Sequence, residues 1–220
     1  MPRETGPKPP RIDEIRLVDL VEGEIGELMA GDRVEGRRYR GGDLAGRDLT
    51  GVAIGESEFI GVLAHDALLR GAVITETVIE RLEAPVLRAP RATLRDVLVS
   101  GSRIGSVEFY DNRWESVRFV GCKLGFVNLR GAEIRDIRFT DCTIEELDLG
   151  NAKAQRVAFE QCDVRSLDVT GARLSDVDLR GLDLAAIAGI DGLRGATMDG
   201  MQVALLATTL ANHMGIRVVG

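Results

Sequence analysis

The chain has 220 residues, a net charge of −7, only 4% aromatic residues and 26 glycines. The acidic balance excludes a general attraction to the nucleic-acid backbone, for which clustered Lys and Arg supply the affinity. Few aromatic residues and many glycines indicate a core of aliphatic and small side chains on a tightly turned backbone. Together these features favour a repeat protein whose partner presents a basic surface.

The sequence carries no signal for membrane insertion or secretion. It has no apolar run long enough to cross a membrane, and its start lacks the apolar stretch of a secretory signal. Three Cys is an odd number in a chain long enough to fold without disulfides. We therefore expect free thiols and a cytoplasmic location.

The part of the chain before Val34 precedes any repeat. Residues 1–11 include four prolines and are predicted to form a disordered tail. Residues 12–33 mix apolar and acidic residues without a clean period. We expect them to form an N-terminal cap, either a strand or a short helix, over the first coil of the repeat.

A five-residue repeat occupies residues 34–185. Every fifth residue from Val34 to Leu184 is apolar, at 31 positions without an insertion or deletion. The residue two positions before is small or aliphatic in most repeats, with Arg47 as a clear exception. Because a period of five fits neither an α-helix nor an alternating strand, it predicts a four-sided coil in which each pentapeptide makes one side and one corner.

Turn residues support the four-sided coil independently. Two residues after the central apolar position, where a type II turn needs positive φ, glycine recurs. These glycines are Gly46, Gly51, Gly61, Gly71, Gly101, Gly121, Gly131, Gly171 and Gly181. Pro85 and Pro90 fall one residue after the centre, where such a turn favours proline.

Coils of four pentapeptides stack like residues in columns along the axis. Phe119, Phe139 and Phe159 form one predicted column, and Cys122, Cys142 and Cys162 form another. Seven to eight coils at the usual spacing between strands make a rod roughly 35 Å long.

The repeat resembles the pentapeptide-repeat family, whose motif is Ala, then Asp or Asn, then Leu, then two variable residues. The best local matches are at residues 42–46, 47–51, 132–134, 172–174 and 182–184. The resemblance implies an all-β fold, a right-handed quadrilateral parallel β-helix. The chain is distantly similar to the DNA-mimicking fluoroquinolone-resistance members of this family. In those members an acidic rod binds DNA gyrase and a C-terminal helix joins two subunits.

Residues 186–220 are predicted to form a C-terminal cap with a helix at about 200–213. An N-cap at Thr197 or Asp199 and Gly215 after the last turn bound this helix. Its apolar stripe consists of Val203, Leu206, Ala207, Leu210 and Met214. The stripe has two interpretations, a cap on the last coil or a contact between two copies.

No catalytic, cofactor-binding or metal site is predicted. The Cys column has the spacing for a shared metal ion or redox chemistry, but it occupies the small inward position without an accompanying His, which favours packing. His65 and His213 are far apart in the predicted fold, so no His-based triad can form. We therefore predict that the protein is not an enzyme.

Two outer surfaces are candidates for partner binding. The acidic surface consists of Asp148, Asp163, Asp168, Asp178 and Asp183. The apolar girdle consists of Ile60, Leu63, Leu68, Val73 and Val78. Each has a structural alternative. Asp is the usual residue before the central position of the motif, and the girdle is explained either by the strand propensity of aliphatic residues on exposed faces or by cover from the N-terminal segment.

The sequence predicts a protein-binding scaffold without direct contacts to nucleic acid or membrane. The more specific alternative is a DNA-mimicking binder of DNA gyrase. In either case, the terminal helix makes the protein a candidate homodimer.

Overall fold

The computed structural model describes residues 6–219, which form one parallel β-solenoid of about nine turns followed by a helix. The strands are β1 (Val21–Glu22), β2 (Arg33–Glu35), β3 (Arg37–Arg40), β4 (Ala53–Gly55), β5 (Glu58–Ile60), β6 (Ala67–Leu68), β7 (Val73–Glu80), β8 (Glu83–Arg88), β9 (Thr93–Ser100), β10 (Arg103–Glu108), β11 (Arg113–Val120), β12 (Lys123–Asn128), β13 (Glu133–Thr140), β14 (Thr143–Asp148), β15 (Lys153–Glu160), β16 (Asp163–Asp168), β17 (Arg173–Asp178), β18 (Ala186–Ala188) and β19 (Ala196–Thr197). Short 3-10 helices lie at Ile25–Glu27 and Ile190–Leu193, and helix α1 is Gly200–His213.

The strands stack into two parallel sheets. The first has twelve strands and runs from β1 through the odd-numbered strands to β19, with β2 and β4 beside this path. The second has seven strands and runs from β6 to β18 through the even-numbered strands. Partners within the regular coils are four pentapeptides apart, as in Phe119 opposite Phe139. The prediction of a quadrilateral parallel β-helix is confirmed. The solenoid has about nine turns rather than the predicted seven to eight coils, because β1 and β19 add strand pairing at its two ends.

The central apolar residue of each repeat points inward and builds one continuous core. In the predicted phenylalanine column, the Phe139 ring stacks between Phe119 and Phe159 with centroid distances of 5.0 and 5.1 Å. Phe139 is only 1% exposed. The column follows directly from the coil of four pentapeptides, because identical positions in successive coils lie one strand spacing apart.

The corners have the backbone conformation that the glycine pattern predicts. All nine predicted corner glycines have positive φ, for example 66° at Gly46 and 62° at Gly121. Non-glycine residues adopt the same conformation at equivalent corners, among them Asp96, Ser116 and Asp136. Asp and Asn tolerate this region better than most residues. At corners occupied by other residue types, the stacking of neighbouring coils must impose the positive φ.

The N-terminal segment, residues 6–20, differs from its prediction. Instead of forming a disordered tail, residues 8–13 lie along one edge of the solenoid. The main-chain N–H groups of Lys8, Arg11 and Asp13 donate to side chains of three different coils. These contacts order the segment because each joins it to a distant, rigid strand. The cap on the first coil comes from residues 21–28, where β1 pairs with β3 and Leu28 is buried. Residues 1–5 lie outside the described residues.

The C-terminal helix is fixed to the last coil at its first turn. The Asp199 side chain accepts hydrogen bonds from the N–H groups of Met201 and Gln202, and Gln202 completes a capping box. The buried Gln202 amide also donates to the carbonyl oxygens of Leu179 and Leu182 at 2.7 and 2.8 Å. These bonds satisfy two acceptors at the end of the solenoid, where no further coil supplies donors.

We predict that Phe139→Ala lowers the free energy of unfolding by about 3–5 kcal/mol, because it leaves a cavity between two stacked rings. Phe139→Asp should prevent folding, because it buries an unpaired charge. Urea unfolding followed by circular dichroism measures both. Gln155→Ala, an exposed change on β15, is the control and should alter the free energy by less than about 0.5 kcal/mol. An unchanged urea midpoint for Phe139→Ala would contradict the stacked core.

Candidate partner-binding surfaces

The five residues of the acidic surface lie on three sides of the solenoid. Asp148 and Asp168 are direct neighbours in adjacent coils. Asp163 and Asp183, one coil apart in the repeat, belong to a second column, and Asp178 lies on a third side. The reason is geometric, because residues one pentapeptide apart in a four-sided coil point about 90° away from each other. A single acidic face therefore does not follow from their common position in the motif.

Three of the five aspartates are paired with arginine. Arg130 lies 2.6 Å from Asp148 and 2.7 Å from Asp168, measured from its Nε and Nη2 atoms to the carboxylate oxygens. Arg180 pairs with Asp178 at 2.6 Å. Asp148 is buried at 6% exposure and also accepts a hydrogen bond from the N–H of Gly150. Asp163 and Asp183 are exposed and have no ion pair among residues 6–219.

The pKa of Asp168 reflects this pairing. Burial alone would raise the pKa of the carboxyl group, but hydrogen bonds from Thr170 and the Arg130 guanidinium outweigh it and leave that pKa below its ordinary value. The hydrogen bonds from Arg180 likewise lower the pKa of Asp178. Both groups thus remain charged at neutral pH. Arg180 offsets the charge of Asp178, whereas Arg130 is shared by Asp148 and Asp168 and offsets one of their two charges.

The apolar girdle surrounds one coil, so its members point to all four sides. Leu63 and Val73 are exposed, whereas Ile60, Leu68 and Val78 are half-buried. Charged residues stand beside the girdle in the next coil, as Glu83 does for Leu63 and Glu80 for Ile60. The girdle therefore does not form one flat apolar patch.

The terminal helix divides its apolar residues between the solenoid and the solvent. Leu206 and Leu210 follow Gln202 at four-residue steps and are half-buried. Val203 and Met214, from the predicted stripe, are exposed. Met201 and Leu205 are also exposed, at 76% and 75%. Neither belongs to the predicted apolar stripe, which follows a different side of the helix.

The Cys column has a structural explanation. The Cys142 thiol accepts from the N–H of Cys122, and the Cys162 thiol accepts from the N–H of Cys142, both at 3.4 Å. In the preceding coil, the Ser102 hydroxyl accepts from the N–H of Leu82 in the same way. The thiols therefore satisfy inward N–H groups that have no carbonyl partner.

The remaining candidates for chemistry are separate from one another. His65 is exposed, and the Nε2 atom of the exposed His213 lies 3.1 Å from an oxygen of Asp191. Within residues 6–219, no group of three or more His, Cys, Asp or Glu side chains is arranged to hold a metal ion. None of the helices in this range is long and apolar enough to cross a membrane.

The geometry defines a parallel β-solenoid with a five-residue repeat. A family model described as a pentapeptide repeat region matches residues 112–188. Residues 112–188 are thus a pentapeptide repeat region.

Solved structures of two pentapeptide-repeat proteins are similar to the chain. One form of QnrB1, a plasmid-mediated fluoroquinolone resistance protein, is 18% identical with a TM-score of 0.49, over 90% of this chain and 95% of that one. HetL, which is involved in heterocyst differentiation regulation in the cyanobacterium Nostoc sp. strain PCC 7120, is 16% identical with a TM-score of 0.39, over 77% and 90%. No curated protein matches the sequence.

We predict that Arg130→Gln destabilises the protein by about 1 kcal/mol at pH 7, because a half-exposed arginine that pairs two carboxylates is lost. A carboxyl group with a lowered folded-state pKa stabilises the fold above its unfolded pKa and loses this effect as the pH falls through the folded pKa. The deficit should therefore shrink below pH 3.8, the ordinary pKa of Asp168.

Urea unfolding at a series of pH values measures this deficit. Arg103→Gln, which changes an exposed arginine without an ion pair among the described residues, is the control and should leave stability unchanged across the series. If the stability deficit of Arg130→Gln stays constant down to pH 2, the deficit does not come from the loss of ion pairs with Asp148 and Asp168.

Proposed function

We propose that the protein is a non-enzymatic scaffold that binds another protein, and that two copies associate through the terminal helix. The observation that carries this proposal is the exposed apolar side of α1. Met201 and Leu205 are four residues apart, so they lie on the same side of the helix. Exposed apolar side chains on a fixed base are typical of interaction sites.

The composition of the helix supports a contact between copies. Residues 200–214 contain no Asp, Glu, Lys or Arg, although charged residues make up 29% of the chain. A helix that served only as a cap would be expected to carry charged residues on its solvent side. Two uncharged helix surfaces can meet without like-charge repulsion, even though each chain has a net charge of −7. A twofold arrangement makes the same surface serve both partners.

We expect the unmodified chain to be a dimer at micromolar concentration and the double variant Met201→Lys with Leu205→Lys to be a monomer, because lysines disrupt the apolar contact. Multi-angle light scattering measures the mass of each. The matched control, Gln155→Lys with Ser175→Lys, adds the same charge on an exposed side of the solenoid and should remain a dimer. If the unmodified chain is a monomer, the proposed dimer is wrong and the helix serves only as a cap on the last coil.

Binding of DNA gyrase by DNA mimicry is a second candidate. The exposed Asp163 and Asp183 favour it, because they lie close to the helix end of the rod and carry negative charge without an ion pair among residues 6–219. The pairing of Asp148, Asp168 and Asp178 with arginine weakens it, because a mimic of the phosphate backbone needs regularly spaced free charges. The scaffold proposal, which needs no such spacing, is therefore the better supported of the two.

A gyrase supercoiling assay with purified protein tests the second candidate. Under DNA mimicry, micromolar protein inhibits supercoiling, and Asp163→Lys with Asp183→Lys reduces the inhibition by at least about tenfold, because two charge contacts are reversed. Glu24→Lys with Glu35→Lys makes the same charge change at the opposite end and should inhibit like the unmodified protein. Equal inhibition by both variants, or none by the unmodified protein, argues against mimicry.

A further inference from the structure

One edge of the solenoid holds the extended N-terminal segment of the chain. The corner column consists of Asp96, Ser116, Asp136, Arg156 and Asp176, which follow one another at steps of one coil and all have positive φ. The N-terminal segment runs along this column in the direction opposite to the coil order. Its main-chain N–H groups donate from Lys8 to Asp176 at 3.1 Å, from Arg11 to Asp136 at 2.8 Å and from Asp13 to Ser116 at 3.0 Å.

The spacing of these bonds matches an extended chain. Two coils, about 9.6 Å, separate Asp176 from Asp136. The three residues from Lys8 to Arg11 span at most about 10.8 Å. Pro9 and Pro10 lie within this span, and their fixed φ favours an extended backbone. Pro10 is buried, while Ile12 is half-buried. The column thus pairs with main-chain N–H groups of the segment rather than with its charged side chains, and the segment buries one proline.

The Asp136 acceptor of the column is held in place by the neighbouring coil as well as by the segment. The Arg156 guanidinium donates two hydrogen bonds to the Asp136 carboxylate, both at 2.6 Å, and both side chains are nearly buried. Ser116 is also buried. An acceptor that is fixed by the solenoid itself reduces the side-chain entropy that the solenoid loses when a peptide binds.

The N-terminal segment does not use the whole column. After Asp13 pairs with Ser116, the next acceptor along the edge is Asp96. One oxygen of Asp96 is buried and has no hydrogen-bond partner among residues 6–219, while the other lies 3.6 Å from Arg95. A buried acceptor without a donor is costly. A peptide that places a donor over Asp96 would satisfy this acceptor, which residues 6–20 leave unpaired.

We propose that the corner column is a docking groove for an extended, proline-containing peptide of another protein, and that the chain's own residues 6–20 occupy it when this partner is absent. The contacts to main-chain N–H groups allow such an exchange, because any extended peptide carries these donors. The inference rests on the proposed role in protein binding. Peptide binding to the column and self-association through the helix are nevertheless separate measurements, and either can fail without the other.

The test uses the full chain with its own segment released. Pro10→Asp with Ile12→Asp places charges against the solenoid, and a second variant, Arg11→Pro with Asp13→Pro, removes two of the donors. The probe is a fluorescent synthetic peptide of residues 6–20, followed by anisotropy. Both variants should bind the peptide, whereas the unmodified chain should bind at least about a hundredfold more weakly, because its tethered segment competes at millimolar effective concentration.

A double-mutant cycle assigns the binding to the column. In either released variant, Ser116→Ala should weaken binding about fivefold, the effect of one lost hydrogen bond. A peptide N-methylated at Asp13 lacks the donor to Ser116, so Ser116→Ala should not weaken its binding further. A peptide N-methylated at the exposed Glu14 is the control, and its binding should still depend on Ser116.

Three results would overturn the proposal. The first is no peptide binding by either released variant when its urea unfolding remains cooperative. The second is an equal effect of Ser116→Ala on all three peptides, which would show a structural rather than a direct role. The third is a dimer of the unmodified chain that the segment variants abolish and the Met201 and Leu205 variant retains, because the groove then holds the segment of a second copy.

Discussion

The whole structure depends on one constraint, the pairing of each coil with the coils immediately before and after it. Main-chain donors and acceptors point along the axis, so every strand position needs a partner one coil away. The five-residue period keeps that partner in register while it turns one apolar side chain inward per side. Where an inward N–H has no carbonyl partner, a side chain from the next coil replaces it, as Ser102 does for Leu82. An insertion of one residue would break the pairing and the core together.

The same constraint explains why both ends are built from residues outside the repeat. A solenoid that simply stopped would expose unpaired strand edges and an apolar cross-section. At the first coil, β1 pairs with β3 and Leu28 is buried. At the last coil, β19 pairs with β17, and the Gln202 amide donates to two carbonyl groups. The helix thereby begins at a fixed point, which leaves the rest of its surface available.

The interior could be predicted almost residue by residue because a strict period determines it. The inward position of Phe139 and the positive φ of Gly121 both follow from counting in fives. The positive φ of Arg156 and Gln161 does not follow from residue type. At these corners the stacked coils on either side fix the backbone, and that influence is tertiary rather than local.

The outer features were harder to predict because they depend on contacts outside the period. The main-chain N–H of Lys8 donates to Asp176, which is 168 residues away. Such a contact cannot be predicted from residue type, because every residue except proline carries a main-chain N–H. The prolines near Lys8 suggested disorder, yet in this setting they favour the extended backbone that fits the edge. The five aspartates share a motif position, but only a count in whole coils separates them onto three sides. The period therefore predicts where a side chain points, whereas its partners depend on the column that it joins.

The columns also determine what kind of recognition the outer surface can support. Oppositely charged residues often meet between adjacent coils, as Lys153 and Glu133 do at 2.7 Å, and Arg138 lies 3.2 Å from Glu160. Such exposed pairs add little stability, but each pair is neutral overall and so produces little field on the side of the solenoid where it lies. Recognition by long-range charge is therefore weakened on these sides. The uncharged helix and the corner column, with its fixed acceptors, depend instead on short-range contact, so specificity on this rod comes from shape and hydrogen bonding.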